Sequence, residues 1–532
     1  MNELELCDII INSIQNGDYN ELLSNAESEL CDLLSDYNLD DILRLINITI
    51  VFHMHNIFFK EIDCEKYQKD KHISLRMLLS LPLFFYKNIK QFGKKNILNY
   101  KEVMNELIKK LGEISYIYYY YPCRNQQDAL FDNEMQFYMN YFKSYYFDYP
   151  CIKREEFINF FIGSKELCAH ELGDTDFDTT LKAMIYFEEL ENNLFNENRL
   201  FKQLCLMGLK IHIGPCDFLG LYPNKLIKRI CRYKRFNYQH IVEQYAYSFD
   251  GNTMEPFRII DALAMTNEKR FMIITPKNIF FPRHYYWMFQ WYNQVWRGKK
   301  ISENNREGKT IKSKMHENEL FNLLQYYFGT ENVYASIYLK KEGKGYAEKD
   351  FIVLYKNVVL SFEAKSNVLP EPGITQSDEI NNIKDKCKKS IEKAYKQSLE
   401  VKKAVLNSQA VFYNNDTKKN EIVLDLREKQ FDDCIQIVVM YEEFLGIETN
   451  IEYLYPEFDA WIVDVKSLML ILKDTVSKGK VDVLFDYAKK RKNAYGLVNV
   501  QSGEEMKVYN LYKLYPFLFE KNYKDIGISV NI

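Results

Sequence analysis

Two carboxylates and a lysine occur at a spacing that could bring them together for hydrolytic chemistry. They lie in GYAEKDFIVLYKNVVLSFEAKS, where two apolar runs flank the Lys-Asn pair at 356–357. We predict a tight hairpin turn at this pair, since asparagine tolerates the positive φ that such turns need, although the stronger Asn-Gly signal is missing. Tyr355 then pairs with Val358, and counting outward places Asp350 directly opposite Glu363.

Alternation along the second strand places Ser361, Glu363 and Lys365 on one face of the sheet. Directly opposed Cβ atoms lie roughly 4.5–5.5 Å apart, so the carboxylates of Asp350 and Glu363 repel each other unless a cation lies between them. Hard divalent cations such as Mg²⁺ suit these oxygen ligands. A metal ion there lowers the pKa of a bound water and offsets charge on a scissile phosphate, while a nearby lysine positions or deprotonates that water.

The alternative interpretation of these residues is a cross-strand ion pair on a solvated sheet face. A D-x(12)-E-x-K pattern alone has low specificity, because acidic residues, lysines and paired strands are common. Here the strands are otherwise almost wholly apolar, and unpaired charges in such surroundings are costly. We therefore favour the hydrolytic site.

Asp350, followed after a hydrophobic hairpin by Glu363-Ala364-Lys365, resembles the signature of the PD-(D/E)xK nucleases, which have the restriction-endonuclease-like fold. One departure is that Lys349 stands where the signature has a proline. The resemblance implies that Asp350 binds or bridges the metal ions and that Glu363 and the Ala364 carbonyl complete the main metal site. It implies that Lys365 orients or activates the attacking water, and that the cofactor is Mg²⁺ or Mn²⁺.

The surroundings, about residues 305–475, resemble the same family. A helix with an acidic residue usually precedes the sheet, and MHENELFNLLQYYFG supplies one. Glu317 lies in register with its inward stripe and is our choice, with Glu319 as the alternative; it would hold a second metal ion or a metal-bound water. NERD-like and Mrr-like nuclease domains often have a glutamine on the helix after the second strand. Gln397 in KAYKQSLEVKKAV matches it and would steady the site or a phosphate.

A histidine stands beside this acidic helix position. His316 could join the site, but we favour a capping or surface role for it.

Composition and periodicity divide the 532 residues into more than one domain. We predict a largely α-helical sensor or regulatory region at 1–245, where apolar residues recur every three or four positions. A connecting segment with strands and an aromatic helix follows at 246–300, and the polar stretch Arg297–Lys314 is the best linker. The nuclease domain spans 301–475, and 476–532 is a mixed C-terminal extension.

The nuclease domain is expected to be an α/β restriction-endonuclease-like domain, with a central mixed sheet flanked by helices. Its pattern alternates between helical and strand-like segments. The predicted elements are helices at about 315–328 and 383–406, strands at about 332–339, 350–356, 358–365 and 434–441, and WIVDV with a following helix.

Two segments carry enough positive charge to contact nucleic acid. KLIKRICRYKRF holds six basic residues and no acid, and its candidate phosphate contacts are Lys228, Arg229, Arg232 and Arg235, with Tyr233 able to stack on a base. The helix over 384–403 carries eight basic residues against three acidic ones. Its lysines could bind phosphates, but an exposed charged helix explains them equally well.

The whole-chain composition sets outer limits. A net charge of −4 excludes a histone-like protein, so nucleic-acid contacts must come from local patches. The 11 cysteines lack C-x-x-C or zinc spacing, which is typical of free thiols in a reducing cytoplasm. The first residues do not resemble a signal peptide, and no stretch approaches the roughly 20 apolar residues of a membrane span. The abundant Tyr and Phe fit AT-rich coding bias.

These features favour a Mg²⁺-dependent endonuclease in the cytoplasm, acting on nucleic acid, with DNA the more probable substrate by the resemblance. A role in bacterial defence against foreign DNA follows by analogy alone. A protein partner or an oligomer contact through the helical region is a further expectation. The alternatives are a nucleic-acid-binding or scaffold protein with a nuclease-like domain, and a nuclease toxin controlled by a partner.

Overall fold

The computed structural model divides the chain into two units. The first comprises residues 1–139 and 146–305, and the second comprises residues 140–145 and 306–532. No helix among the described residues is both long enough and apolar enough to cross a membrane. The structure describes residues 3–58, 73–89, 92–124, 139, 142, 154–197, 220–247, 258–264, 269–282, 286–297, 306–341, 345–366, 379–414, 421–441, 451, 458–495, 498–499, 505–520 and 530–531.

Helices dominate the first unit. In the second of them, Tyr19, Leu23, Leu30 and Leu34 are buried at helical spacing, so one stripe of the helix faces the core. The helices are α1 (Glu3–Asn16), α2 (Tyr19–Ser35), α3 (Leu39–Phe58), α4 (Leu75–Asn88), α5 (Tyr100–Tyr119), α6 (Arg154–Gly163), α7 (Lys165–Leu172), α8 (Phe177–Glu197), α9 (Asn224–Lys234), α10 (Tyr238–Tyr245), α11 (Ile259–Ala264) and α12 (Tyr286–Arg297).

A small sheet also belongs to the first unit, in the order β1-β4-β3-β2. We predicted 246–300 as a separate connection after 1–245. In the structure, a strand from within 1–245 pairs with one strand from 246–300, and both segments lie in the same unit. The strands are β1 (Leu221–Pro223), β2 (Ala246–Tyr247), β3 (Met272–Ile274) and β4 (Asn278–Phe280).

The second unit is built around a larger sheet. A π-helical turn at Lys388–Glu392 joins two of its helices. Its elements are α13 (Arg306–Phe328), β5 (Val333–Lys341), β6 (Gly345–Tyr355), β7 (Val358–Lys365), α14 (Glu379–Cys387), α15 (Lys393–Leu406), β8 (Val411–Tyr413), β9 (Ile422–Asp425), β10 (Asp433–Met440), β11 (Trp461–Asp464), α16 (Val465–Thr475), α17 (Val481–Lys490), β12 (Val498–Asn499), α18 (Glu505–Leu514) and β13 (Val530–Asn531).

The sheet has seven strands in the order β11-β10-β7-β6-β5-β8-β9. Strands β7, β10 and β11 run parallel to one another, and the other neighbours are antiparallel. The coarse prediction is therefore confirmed: a helix-rich N-terminal region precedes a domain with a mixed sheet and flanking helices.

Helices cover both faces of this sheet. On one face, α13 contributes Leu320 and Leu324 to a core that also contains Phe362. On the other face, Val401 and Val405 of α15 pack in a second core with Val359 and Ile352. The two faces of β7 are thus buried under different helices, which explains why its sequence is almost continuously apolar.

One predicted boundary needs correction, and two strands of the sheet were not predicted. Helix α13 begins at Arg306, so the second half of the predicted linker Arg297–Lys314 is helical. Gly308 does not end the helix, because a glycine costs a helix only about 1 kcal/mol relative to alanine. Strands β8 and β9 were not predicted, since runs of three and four residues are too short to show a strand period.

Residues beyond 475, which we predicted as an extension, complete the core of the second unit. Glu505 forms an ion pair with Arg491 at 2.9 Å, and it accepts hydrogen bonds from Trp461 Nε1 at 2.8 Å and Tyr487 Oη at 2.5 Å. Arg491 and Glu505 are fully buried. This network joins α17 and α18 to β11.

Candidate active site

The hairpin that carries the candidate residues has the predicted register. Tyr355 pairs with Val358, and the β6–β7 pairing continues to Phe351 and Phe362. The positive φ of the turn lies at Lys356 (φ 52°) rather than at the asparagine that follows it. Strands on both sides hold that lysine in a conformation that a turn in isolation would assign to glycine or asparagine.

Beyond Phe351 the two strands separate. Strand β6 continues to pair with β5 as far as Gly345, whereas β7 continues to pair with β10 as far as Lys365. Asp350 lies where they part, and its Oδ2 accepts a hydrogen bond from the Ala364 backbone N–H at 2.8 Å. The prediction that Asp350 is paired directly with Glu363 is therefore wrong in detail, because the carboxylate itself bridges the gap between the strands.

An irregularity in β5 accompanies this separation. Ser336 has φ 49°, and the β5–β6 pairing skips Ser336 and Asp350. Ala335 packs in the core under α13, but Ile337 packs in the core under α15. Residues of equal parity thus face opposite sides on either side of Ser336, although the β5–β6 register does not shift there. The strict alternation assumed from the sequence fails at this point.

Three charged side chains meet beside this irregularity. Lys365 Nζ lies 3.5 Å from Asp350 Oδ2 and 3.3 Å from Glu363 Oε2. Glu363 is completely buried, while Asp350 and Lys365 keep 21% and 16% of their side-chain surface exposed. The structure thus brings together the acid of each strand and the lysine, at an opening that solvent reaches.

The Glu363 carboxyl group is buried, and its neighbours compensate its negative charge only in part. Burial, followed by the neighbouring Asp350 carboxylate, raises the pKa of Glu363 to about 8, against the opposing effect of Lys365. Its Oε1 atom is buried and has no hydrogen-bond partner among the described residues. The ionised carboxylate would therefore gain from a further cation at this place.

Glu317 approaches the same site from α13. It is half-buried, and burial followed by the charges of Asp350 and Glu348 raises its pKa. Glu319, the alternative, is exposed. Of the two acids, Glu317 is the one whose pKa responds to Asp350, and it remains our choice.

His316 has neither a capping nor a surface role, contrary to our expectation. It is 1% exposed, and its ring lies 5.3 Å edge-on from the ring of Tyr441. Within the part of the chain that the structure describes, neither ring nitrogen has a hydrogen-bond partner. Burial, and then the charge of Lys365, lowers the pKa of His316 to about 3, so the imidazole is neutral and offers a lone pair beside the site. Only its position next to Glu317 signalled this in the sequence.

Gln397 lies on α15, four residues before Val401 of the sheet-facing core. The adjacent Ser398 accepts a hydrogen bond from Gln436 at 3.2 Å, and Gln436 pairs with Ser361, two residues before the candidate glutamate. The Gln397 Oε1 atom is buried, and no described residue donates a hydrogen bond to it. The helix therefore holds this amide near the level of the site.

Lys349, which replaces the proline of the signature, is completely buried. Its Nζ donates to the Gln397 carbonyl oxygen at 2.7 Å and to Glu400 Oε2 at 2.8 Å. This lysine therefore ties β6 to α15 immediately beside Asp350. This contact could not be predicted from the sequence, because alternation from Ile352, which packs under α15, would place Lys349 on the opposite face of the sheet.

The residues fit a divalent cation in their chemistry. Among the residues that the structure describes, no group of three or more His, Cys, Asp or Glu side chains has the arrangement of a metal site. The unpartnered Glu363 Oε1 and the partly exposed Asp350 carboxylate are nevertheless hard oxygen donors of the kind Mg²⁺ binds. Lys365 partly compensates their charge.

The basic cluster lies in the first unit, on α9 and at its end. All four of its residues are exposed, as is Tyr233 at 82%. Lys228 lies 5.1 Å from the centre of the Tyr238 ring. The structure shows no acidic partner for the cluster within the described residues. Its residues are Lys228, Arg229, Arg232 and Arg235.

Comparison of the chain with protein-family models, with curated proteins and with solved structures returned no match.

Proposed function

We propose that this protein is a metal-dependent nuclease whose second unit has the restriction-endonuclease-like fold. The observation that carries the proposal is the buried Glu363 carboxyl, which lies 3.3 Å from Lys365 and has its pKa raised to about 8 where two strands part. A strongly raised pKa combined with a specific charged partner at an opening is typical of functional sites.

The arrangement supports a division of labour in phosphodiester hydrolysis. A divalent cation supplies Lewis acidity and neutralises phosphate charge. Asp350 and Glu363 would hold it, with the Ala364 carbonyl and Glu317 as further oxygen ligands. Lys365 would orient the attacking water. The water oxygen bonds to phosphorus, one P–O ester bond breaks, and the leaving oxygen takes a proton.

The surroundings of the site argue against a purely structural ion pair. A surface pair costs little to remove and adds little stability. Glu363, however, has no exposed side-chain surface, and one of its oxygens has no hydrogen-bond partner in the described ranges. Such a group destabilises the fold in the absence of a ligand, which suits a site that binds a cation.

The test is cleavage of plasmid, linear duplex, single-stranded DNA and RNA with Mg²⁺, Mn²⁺ or chelator. Wild type should cut at least one substrate only when metal is present. Asp350→Ala and Lys365→Ala should lose this activity, and Glu428→Ala is a matched control because Glu428 is an exposed acid of the same unit that lies after β9, outside the strands of the site. Activity that persists in both site variants would sink the proposal.

One observation favours a second function, nucleic-acid binding without cleavage. Lys365 lies within 3.5 Å of both carboxylates, so it reduces their charge without a metal. In that case the exposed basic cluster on α9 would bind nucleic acid and no substrate would be cut. Calorimetry separates the two functions, because only the nuclease should bind Mg²⁺ or Mn²⁺ in a way that Glu363→Gln abolishes.

A further inference from the structure

A row of side chains at four-residue spacing runs along α15 and the π-helical turn before it. From the C-terminal end, Val405 and Val401 are buried, Gln397 is half-buried, and Lys393 and Lys389 are exposed. Residues four apart lie on neighbouring turns of one helix face. The row therefore passes from the core, across the candidate site glutamine, to two lysines at the surface.

The direction of this row relates the lysines to the site. Ser398 contacts Gln436 beside Ser361, which fixes the level of the helix along β7. Each helical residue rises about 1.5 Å and each strand residue about 3.3 Å. Lys393 lies five helical residues before Ser398, and this rise equals that of about two strand residues. It therefore lies at the level of Glu363, two residues after Ser361 on β7. Lys389 lies further still toward the carboxyl end of the sheet.

These two lysines are not neutralised by neighbours. Within the described part of the chain the structure shows no acidic partner for Lys389 or Lys393, whereas Lys396 on the same helix forms an ion pair with Glu392. Like charges four residues apart destabilise a helix by a few tenths of a kcal/mol. An anion bound to both lysines would remove that repulsion.

We propose that Lys389 and Lys393 bind successive phosphates of a nucleic-acid strand next to the scissile phosphate at the proposed metal site of Asp350 and Glu363. The inference rests on the proposed nuclease function and adds a substrate-binding surface to it. Lys389 lies in the π-helical turn and Lys393 begins α15, so the two lysines lie on successive turns at the exposed end of the helix, where both can reach phosphates of one strand. We call Lys389 and Lys393 the lysine row.

The test is the salt dependence of oligonucleotide binding, measured by fluorescence anisotropy with labelled duplex and single-stranded probes. All proteins carry Asp350→Asn so that no probe is cut. Each lysine that neutralises a phosphate contributes about 0.9 to the slope of log K against log salt for a duplex and about 0.7 for a single strand. Lys389→Gln with Lys393→Gln should therefore reduce the slope by about 1.8 or about 1.4.

The matched control is Lys396→Gln with Lys403→Gln, which removes the same charge from exposed positions of the same helix outside the row. It should change the slope by less than half as much. Lys389→Arg with Lys393→Arg should keep the wild-type slope, which a purely structural role would not require.

Three results would overturn the inference: an unchanged slope in the row variant, an equal fall in both double variants, or no nucleic-acid binding at all. Parallel cleavage assays without Asp350→Asn keep the two proposals distinct. If the row variant has a reduced slope but wild type cuts no substrate, the nuclease function is refuted and the phosphate-binding role of the lysine row is retained. If wild type cuts a substrate and the row variant has an unchanged slope, the nuclease function is retained and the role of the lysine row is refuted.

Discussion

Replacing the buried glutamate should make the metal-free protein more stable. In Glu363→Gln the neutral amide keeps the shape of the carboxyl group but cannot ionise. Because burial and Asp350 raise the pKa of Glu363 from 4.5 to about 8, the folded state binds the proton more tightly than the unfolded state does. The wild-type stabilisation is fully present below about pH 4.5 and is lost as the pH rises to about 8.

The size of this loss of stability follows from the difference between the pKa values of Glu363 in the unfolded and folded states. From 4.5 to about 8 is about 3.5 pH units, and each is worth about 1.36 kcal/mol, so the upper limit is about 5 kcal/mol. Relaxation around the ionised carboxylate reduces the loss to about 3 kcal/mol by our estimate. For a unit of this size, a difference of about 3 kcal/mol corresponds to about 6–12 °C in Tm.

The assay is thermal unfolding in chelator at pH 5.0 and pH 8.5. Wild type should melt earlier at pH 8.5 relative to Glu363→Gln, with a much smaller difference at pH 5.0. Glu428→Gln, which changes an exposed acid of the same unit outside the strands of the site, should follow wild type at both values. Added Mg²⁺ should raise the Tm of wild type at pH 8.5 and leave that of Glu363→Gln unchanged. A Glu363→Gln protein that is no more stable than wild type at pH 8.5 refutes the reasoning.

Three further perturbations test other parts of the chain. Burial raises the pKa of Glu27 to about 7, so the first unit should lose stability as the pH rises from about 4.5 to about 7, and urea titrations of Glu27→Gln should lack this loss. Arg491→Met should destabilise the second unit by about 3–5 kcal/mol in chemical denaturation, because Glu505 is left buried without its cation; a smaller effect would contradict the structural role of the network. Lys349→Met should cost about 1–3 kcal/mol, since the Gln397 carbonyl oxygen loses its donor, and an unchanged denaturation midpoint would disprove that contact.

Much of the second unit could be predicted from the sequence, since local patterns specify it. The apolar runs around the turn at Lys356 fixed the register of β6 and β7 as far as Phe351. Periods of two and of three to four residues located the main strands and helices. The start of α13 and the short outer strands β8 and β9 could not be predicted, because solvated helical turns and very short strands have no clear period.

The sequence by itself determined which residues could do chemistry: an acid on each strand of a hairpin and a lysine two residues after the second. Only the tertiary structure decided how they meet. Beside the irregularity at Ser336, β6 parts from β7, Asp350 accepts a hydrogen bond from the Ala364 backbone N–H, and Lys349 reaches α15. Burial of His316 and the place of residues beyond 475 in the core are likewise decided by contacts between segments far apart in the chain. No local pattern encodes such contacts, because their energy comes from surfaces that meet only when the chain is folded.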